Sequence, residues 1–336
     1  MSADQLQDLS LPKPGRLSRF LRGLCLQVAI ILVTLGAVEV MLRVVDLRFL
    51  RDGHQAGYPL VHHYDSELGW APIPNSASKF VGSRAINVQH NSLGLRDIEH
   101  DRAAKPTILF VGDSFVWGYD VEAGDRFTER LQQQMAGTRI VNAGVPGYGT
   151  DQEYLLLRRL WSAVEPNVVV LMFCAENDRL DNTSDSRYDG YYKPYLEQAP
   201  DGSWQFRGQP VPKSRHVYFI DDWLVRNLWV ARVAVSVYVQ LRHPRISVPD
   251  PTEQLVGMMR DFVEARGAKF LVGLQYREPQ LEQFLRAQKI SYTSFEGAET
   301  YRADGNHWTP SGHALVAEAL GSLFSRTGIV QAQPKQ

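Results

Sequence analysis

Four short apolar runs constrain the fold of this chain more than any other feature. They are TILFVG (107–112), RIVNAG (139–144), NVVVLMF (167–173) and KFLVGL (269–274). Runs without polar alternation suit strands covered on both faces, the habit of parallel sheets. Between them, DRFTERLQQQM (125–135) and DQEYLLLRRLWSAV (151–164) place apolar residues at helical spacing, and 251–266 and 278–288 do the same. A last helix starts at TPSGHALVAEALGSLF, with Thr309 as N-cap and Pro310 in its first turn. Strands alternating with helices predict an α/β domain over 105–328: three layers, α/β/α, around a parallel sheet.

A second constraint lies upstream. GLCLQVAIILVTLGAVEVML (23–42) runs 20 residues with one charge, Glu39. As a helix it spans about 30 Å, the thickness of bilayer hydrocarbon. Glu39 stands four residues before Arg43, close enough to pair with it. No small-residue cleavage pattern follows, so 19–43 reads as an uncleaved transmembrane anchor rather than a signal peptide. Lys13, Arg16, Arg19 and Arg22 precede the span; Arg43, Arg48 and Arg51 follow it. That bias places the N-terminus inside, and the rest of the chain outside the cytoplasm as a single-pass inner-membrane protein. Residues 1–18 and 329–336 read as tails. Residues 44–104 read as a linker with a small β-rich prefix, in which SKFVGSRAINVQHNSLGLRD (78–97) forms a hairpin turning at Gly82-Ser83.

One stretch breaks the strand–helix rhythm. Residues 179–248 are an aromatic-rich insertion, with a turn at PDG (200–202) and one helix over 221–241. The formal net charge is -1, and no basic run stands out beyond the N-terminal segment. Nucleic acid therefore has no electrostatic footprint here. The two cysteines, Cys25 and Cys174, are not expected to meet. No His/Cys spacing suggests a metal. GVPGYG departs from the dinucleotide fingerprint, so no cofactor is expected. GDSFV has Val116 where a nucleophile elbow needs its second glycine.

Ligands of parallel α/β sheets bind at the carboxyl ends of the strands. Four polar segments fall there: Gly112-Asp113-Ser114, NAGVPGYGT (142–150), CAENDRLDN (174–182) and DGNHWTPSGH (304–313). Each is weak alone; their order and placement are not. Together they resemble the blocks of the SGNH (GDSL-type) hydrolase family over about 105–326, with the insertion set aside. GDSF matches the first block, AEND resembles the third, and DGNH matches the last. NAGVPGYGT resembles the second, whose glycine falls at Gly147 by its spacing to Thr150, with Gly144 as the alternative. The resemblance implies a serine esterase. Ser114 is its nucleophile, His307 its general base, and Asp304 orients the histidine. Its oxyanion hole comprises Ser114 and Gly147 N–H and the Asn177 amide.

Ala175 stands where the family has glycine, and the acid Glu176 precedes Asn177. Both are tolerable if the backbone torsion stays negative and Glu176 points outward. The other histidines, His313 included, read as structural or surface residues. A membrane-anchored chain of this kind, with NSLGLRD (91–97) ahead of the domain, is similar to GDSL-like proteins associated with bacterial envelope polysaccharides. That implies O-acyl, chiefly O-acetyl, esters of a glycan as substrate and polysaccharide-assembly proteins as partners. Alternatives are an O-acetyltransferase with the same triad, a catalytically silent glycan-binding scaffold, and a lipid-directed esterase.

Overall fold

The computed structural model describes residues 15–51, 62–101, 106–188, 190–301 and 306–329. The chain opens with α1 (Arg16–Val45), a 30-residue helix. Apart from half-buried Ser18, its side chains are exposed as far as Ala37; only Val38, Glu39 and Leu42 turn toward the protein. It is long and apolar enough to cross a membrane. Two antiparallel hairpins follow, pairing His62–Asp65 with Gly69–Pro72 and Ala77–Val81 with Ala85–Gln89. The second turns at residues 82–84, as its Gly-Ser pair predicts.

The central sheet is parallel throughout. Its strands are β1 (Thr107–Gly112), β2 (Arg139–Gly144), β3 (Val168–Phe173), β4 (Lys269–Leu274) and β5 (Ser291–Ser294), in the order β5-β4-β3-β1-β2. β1, β2 and β3 are buried at every position. Helices α2 (Ser114–Trp117), α3 (Phe127–Gln134) and α4 (Thr150–Val164) follow the first two strands, and α5 (Asp178–Asn182) follows β3. The insertion carries α6 (Arg215–Asp221), α7 (Trp223–Asn227) and α8 (Trp229–Arg242). Then come α9 (Thr252–Glu264), α10 (Pro279–Ala287) and α11 (Pro310–Arg326).

Alternate strand residues sort into two cores. Ile108, Phe110, Val170 and Met172 meet α3 and α11 through Phe127, Leu131, Leu320 and Phe324. Leu109, Val111, Val169 and Leu171 meet α4, α9 and α10 through Leu157, Met259 and Leu285. This is the three-layer α/β/α arrangement that the apolar runs predict. Phe110 is fully buried, and its truncation to alanine costs about 3–5 kcal/mol. Gly112 pairs with Gly144 on one side and Met172 on the other, so the loops after β1, β2 and β3 begin side by side.

The insertion corrects one expectation. Residues 221–241 are not one helix: the helix breaks at Leu228, which is extended at φ -122° and ψ 119°. Tertiary partners hold the break. Asp222 accepts the Val225 N–H and starts α7. Glu39 of α1 accepts the N–H groups of Trp229 and Val230, which start α8. Arg232 donates to the carbonyls of Val225, Arg226 and Leu50.

Candidate active site

β1 delivers Ser114 through a tight turn. A Cβ at Gly112 would collide with Val116, so only glycine lets the chain fold over here. Asp113 then caps α2 by accepting the Phe115 N–H at 2.9 Å. Gly118 ends that four-residue helix at φ +84°, a conformation that glycine adopts without strain. Ser114, the first residue of α2, lies with its Oγ 2.8 Å from His307 Nε2. His307 sits just ahead of α11, whose start is fixed by Thr309 accepting the Gly312 N–H. Its imidazole stacks on Tyr119 at 4.4 Å between centroids and packs against Phe115 at 4.9 Å. Asp304, three residues upstream of His307, lies outside the described residues.

The strands flanking β1 bring up the other expected groups. Gly147 lies in the loop after β2 at φ +78°, and a Cβ on it would collide with the Tyr188 hydroxyl. The backbone N–H groups of Ser114 and Gly147 have no acceptor among the described residues. Gly144 is different: it ends β2 and gives its N–H to Asn142 Oδ1 at 3.0 Å. Asn177 lies in the loop after β3, where its Nδ2 donates to Asp181 Oδ2 at 2.7 Å. That bond takes one of the two amide hydrogens. Ala175 is not among the residues with positive φ, and Glu176 is exposed, as expected.

Residues 110–315 match the GDSL-like lipase/acylhydrolase family. The chain belongs to this family. It is an esterase, a hydrolase of ester bonds. No curated protein matches the chain. Solved structures with similarity include a lipolytic protein of the G-D-S-L family from Veillonella parvula DSM 2008, 14% identical, with 66% of this chain and 98% of that one covered at a TM-score of 0.38. The psychrotrophic esterase EstA of Pseudoalteromonas sp. is 11% identical, with 67% and 100% covered at 0.39. Est24, a carbohydrate acetylesterase from Sinorhizobium meliloti, is 15% identical, with 66% and 100% covered at 0.36.

Around the motifs that mark it as a GDSL-like hydrolase, the structure gives surroundings that the sequence did not show. Asp113, next to Ser114 in the chain, lies among the buried acids Glu153 and Asp178, with Asp181 beside them. Burial pushes Asp113 up to about 6. Burial, then the neighbouring Asp178 and Asp113 carboxylates, push Glu153 well above the usual carboxylate range. Burial and Asp113 do the same to Asp178. Acids crowded together away from water hold protons instead of charge. The Cys174 thiol joins them, its Sγ 3.2 Å from Gln275 Oε1. Asp151 and Asp181 instead find cationic partners, Lys193 and Arg187. Glu153 and Asp151 read in sequence as ordinary acids in the first turn of a helix, and nothing local marks their burial. Tyr188 is the other addition: it holds φ +52° and stays 61% exposed while its hydroxyl covers Gly147. His313 is structural, accepting the Phe127 N–H at 3.3 Å.

Proposed function

We propose that Ser114, His307 and Asp304 act as a triad on O-acyl, chiefly O-acetyl, esters of an envelope or exported polysaccharide, with α1 holding the enzyme in the inner membrane and the domain outside the cytoplasm. The contact between Ser114 Oγ and His307 Nε2 carries this reading. A serine within hydrogen-bond reach of an imidazole is the working pair of an activated nucleophile. Ser114 attacks the ester carbonyl while His307 Nε2 takes its proton. The oxyanion is met by the N–H groups of Ser114 and Gly147 and by the second amide hydrogen of Asn177. As the ester C–O bond breaks, His307 protonates the departing sugar oxygen to a hydroxyl, leaving an acyl group on Ser114. Water, deprotonated by the same imidazole, releases the acid.

A glycan is supported by the aromatic wall beside Gly147. Its exposed ring is Tyr188, backed at 6.4 Å by the buried Trp70, which also lies 6.2 Å from the half-buried Tyr191. Flat rings with polar edges suit sugar faces. Retention of α1 is supported by its last turns. Leu42 is buried among Leu50, Phe219, Val225 and Trp229, and Arg43 donates to the Asn227 carbonyl. Cleavage after Arg43 would strip these partners from the folded insertion.

The test is a fluorophosphonate probe on the full-length chain in detergent, read by intact mass, with Ser114→Ala alongside. The expected result is one adduct in the wild type and none in the variant, with acetate released from an acetylated polysaccharide by the wild type alone. A folded wild type that takes no adduct overturns the triad. An adduct without acetate release overturns the substrate. Faster turnover of long-chain than acetyl esters points to lipid instead.

A further inference from the structure

We propose that the α7 corner of the insertion enters the bilayer beside α1, as a second, interfacial contact of the domain with phospholipid. The inference rests on the reading of α1 as a membrane anchor. Three observations carry it.

The first is height. If 23–42 crosses the hydrocarbon, Glu39 lies about 5 Å inside its outer edge, at 1.5 Å per residue. Glu39 accepts the N–H groups of Trp229 and Val230 at 3.0 and 2.9 Å, and Arg43 donates to the Asn227 carbonyl at 2.7 Å. The junction of α7 and α8 is thereby fixed at the edge of the membrane. The second is the partnering of the acid. A carboxylate at that depth is costly unless paired. Its partners are Arg43 and two amides of the insertion, so the domain comes down to the bilayer edge to supply them.

The third is the surface. Trp223 is 73% exposed, with Leu224 and Leu228 exposed beside it, and Met41 and Val44 are exposed near the end of α1. Trp and Leu next to a spanning helix suit the headgroup boundary, and Arg226 and Arg48, both exposed, suit its phosphates. The nearby acids are engaged: Asp222 caps α7 and Asp221 lies 3.6 Å from Lys213. From this corner α6 leads back to His216, which stacks on Tyr191 of the aromatic wall. One end of α6 thus packs on Tyr191 and the other leads to the bilayer contact.

The test uses the full-length chain reconstituted in phosphatidylcholine vesicles, some with lipid brominated near the headgroup end of the acyl chains. Bromine quenches tryptophan emission only within contact range. Trp223→Phe is expected to lose at least half of the quenching of the wild type. Trp204→Phe, in the hairpin of Tyr195–Gln198 and Trp204–Arg207, is expected to keep it all. A carbonate wash separates the two readings. Chain that stays on the vesicles with equal quenching in Trp223→Phe and wild type overturns the corner contact and leaves the anchor standing. Chain that washes off overturns both.

Discussion

The catalytic edge and the α1 collar are built with the same device and finished in opposite ways. Each has a buried arginine holding the carbonyls of an interrupted backbone. At the catalytic edge, Arg96 donates to the carbonyls of Trp117, Gly118, Val121 and Asn87, around the end of α2. At the collar, Arg232 donates to Val225, Arg226 and Leu50, around the break before α8. Beyond Arg96 lies the short helix that carries Ser114. Outward of Arg232 lie exposed Trp and Leu. A guanidinium can thus fix an irregular loop anywhere; the side chains beyond it decide whether the loop faces a reaction or an apolar partner.

The comparison can be broken first at the serine. Ser114→Ala is expected to lower kcat/KM on an acetyl ester by about 10⁴-fold or more with an unchanged melting temperature. Asn177→Ala is expected to lower kcat by about 100-fold with KM nearly constant, since its amide acts on the transition state; steady-state kinetics on the same ester check this. The two arginines give the sharper contrast. Arg232→Met leaves three carbonyls without this donor, and Arg96→Met leaves two, since Trp117 and Gly118 keep bonds from Arg126 and the Val121 N–H; at about 1 kcal/mol per group each variant costs about 2–3 kcal/mol. Denaturant melts should show similar losses for both, whereas ester hydrolysis should fall only in Arg96→Met. Equal loss of activity in both would show that the collar and the site are not separable.

The smallest expected effect comes from the buried acids. Asp113 and Glu153 keep their protons in the folded chain to higher pH than the unfolded chain does. The unfolded chain releases protons above about pH 4, so stability is full below that value and declines as pH rises through the folded-state values, about 6 for Asp113. Melting temperatures measured between about pH 5 and pH 8 should fall for the wild type and fall less for Glu153→Gln. A wild-type stability that rises over this range would mean the acids are ionised and partnered.

The sheet was legible because β1 to β4 are continuous apolar runs, and a run buried on both faces leaves no ambiguity of period. β5 was missed because SYTS at the sheet edge has neither the length nor the apolar character of its neighbours. Ser114 and His307 were legible through the order of the motifs, and the structure brings them together across 193 residues. Gly147 was preferred to Gly144 in sequence by its spacing to Thr150, and the Gly144 N–H is engaged by Asn142. The break at Leu228 was not legible: the apolar face runs on through it, and the groups that stabilise it come from Glu39 and Leu50, far away in sequence. Tyr188 was legible only as one aromatic of the insertion; its closeness to Gly147 depends on the fold.

The stacking of Tyr119 on His307 has a consequence for charge. The two rings lie 4.4 Å apart and 23° from parallel. While the imidazole is neutral, this is a packing contact that sets the ring's angle toward Ser114. In the proposed mechanism the imidazole takes the serine's proton and becomes a cation above the electron-rich face of a phenol, an attraction of about 0.5–2 kcal/mol. The same ring that aims the base therefore also rewards it for accepting the proton, and it does so only during the part of the cycle when the positive charge exists.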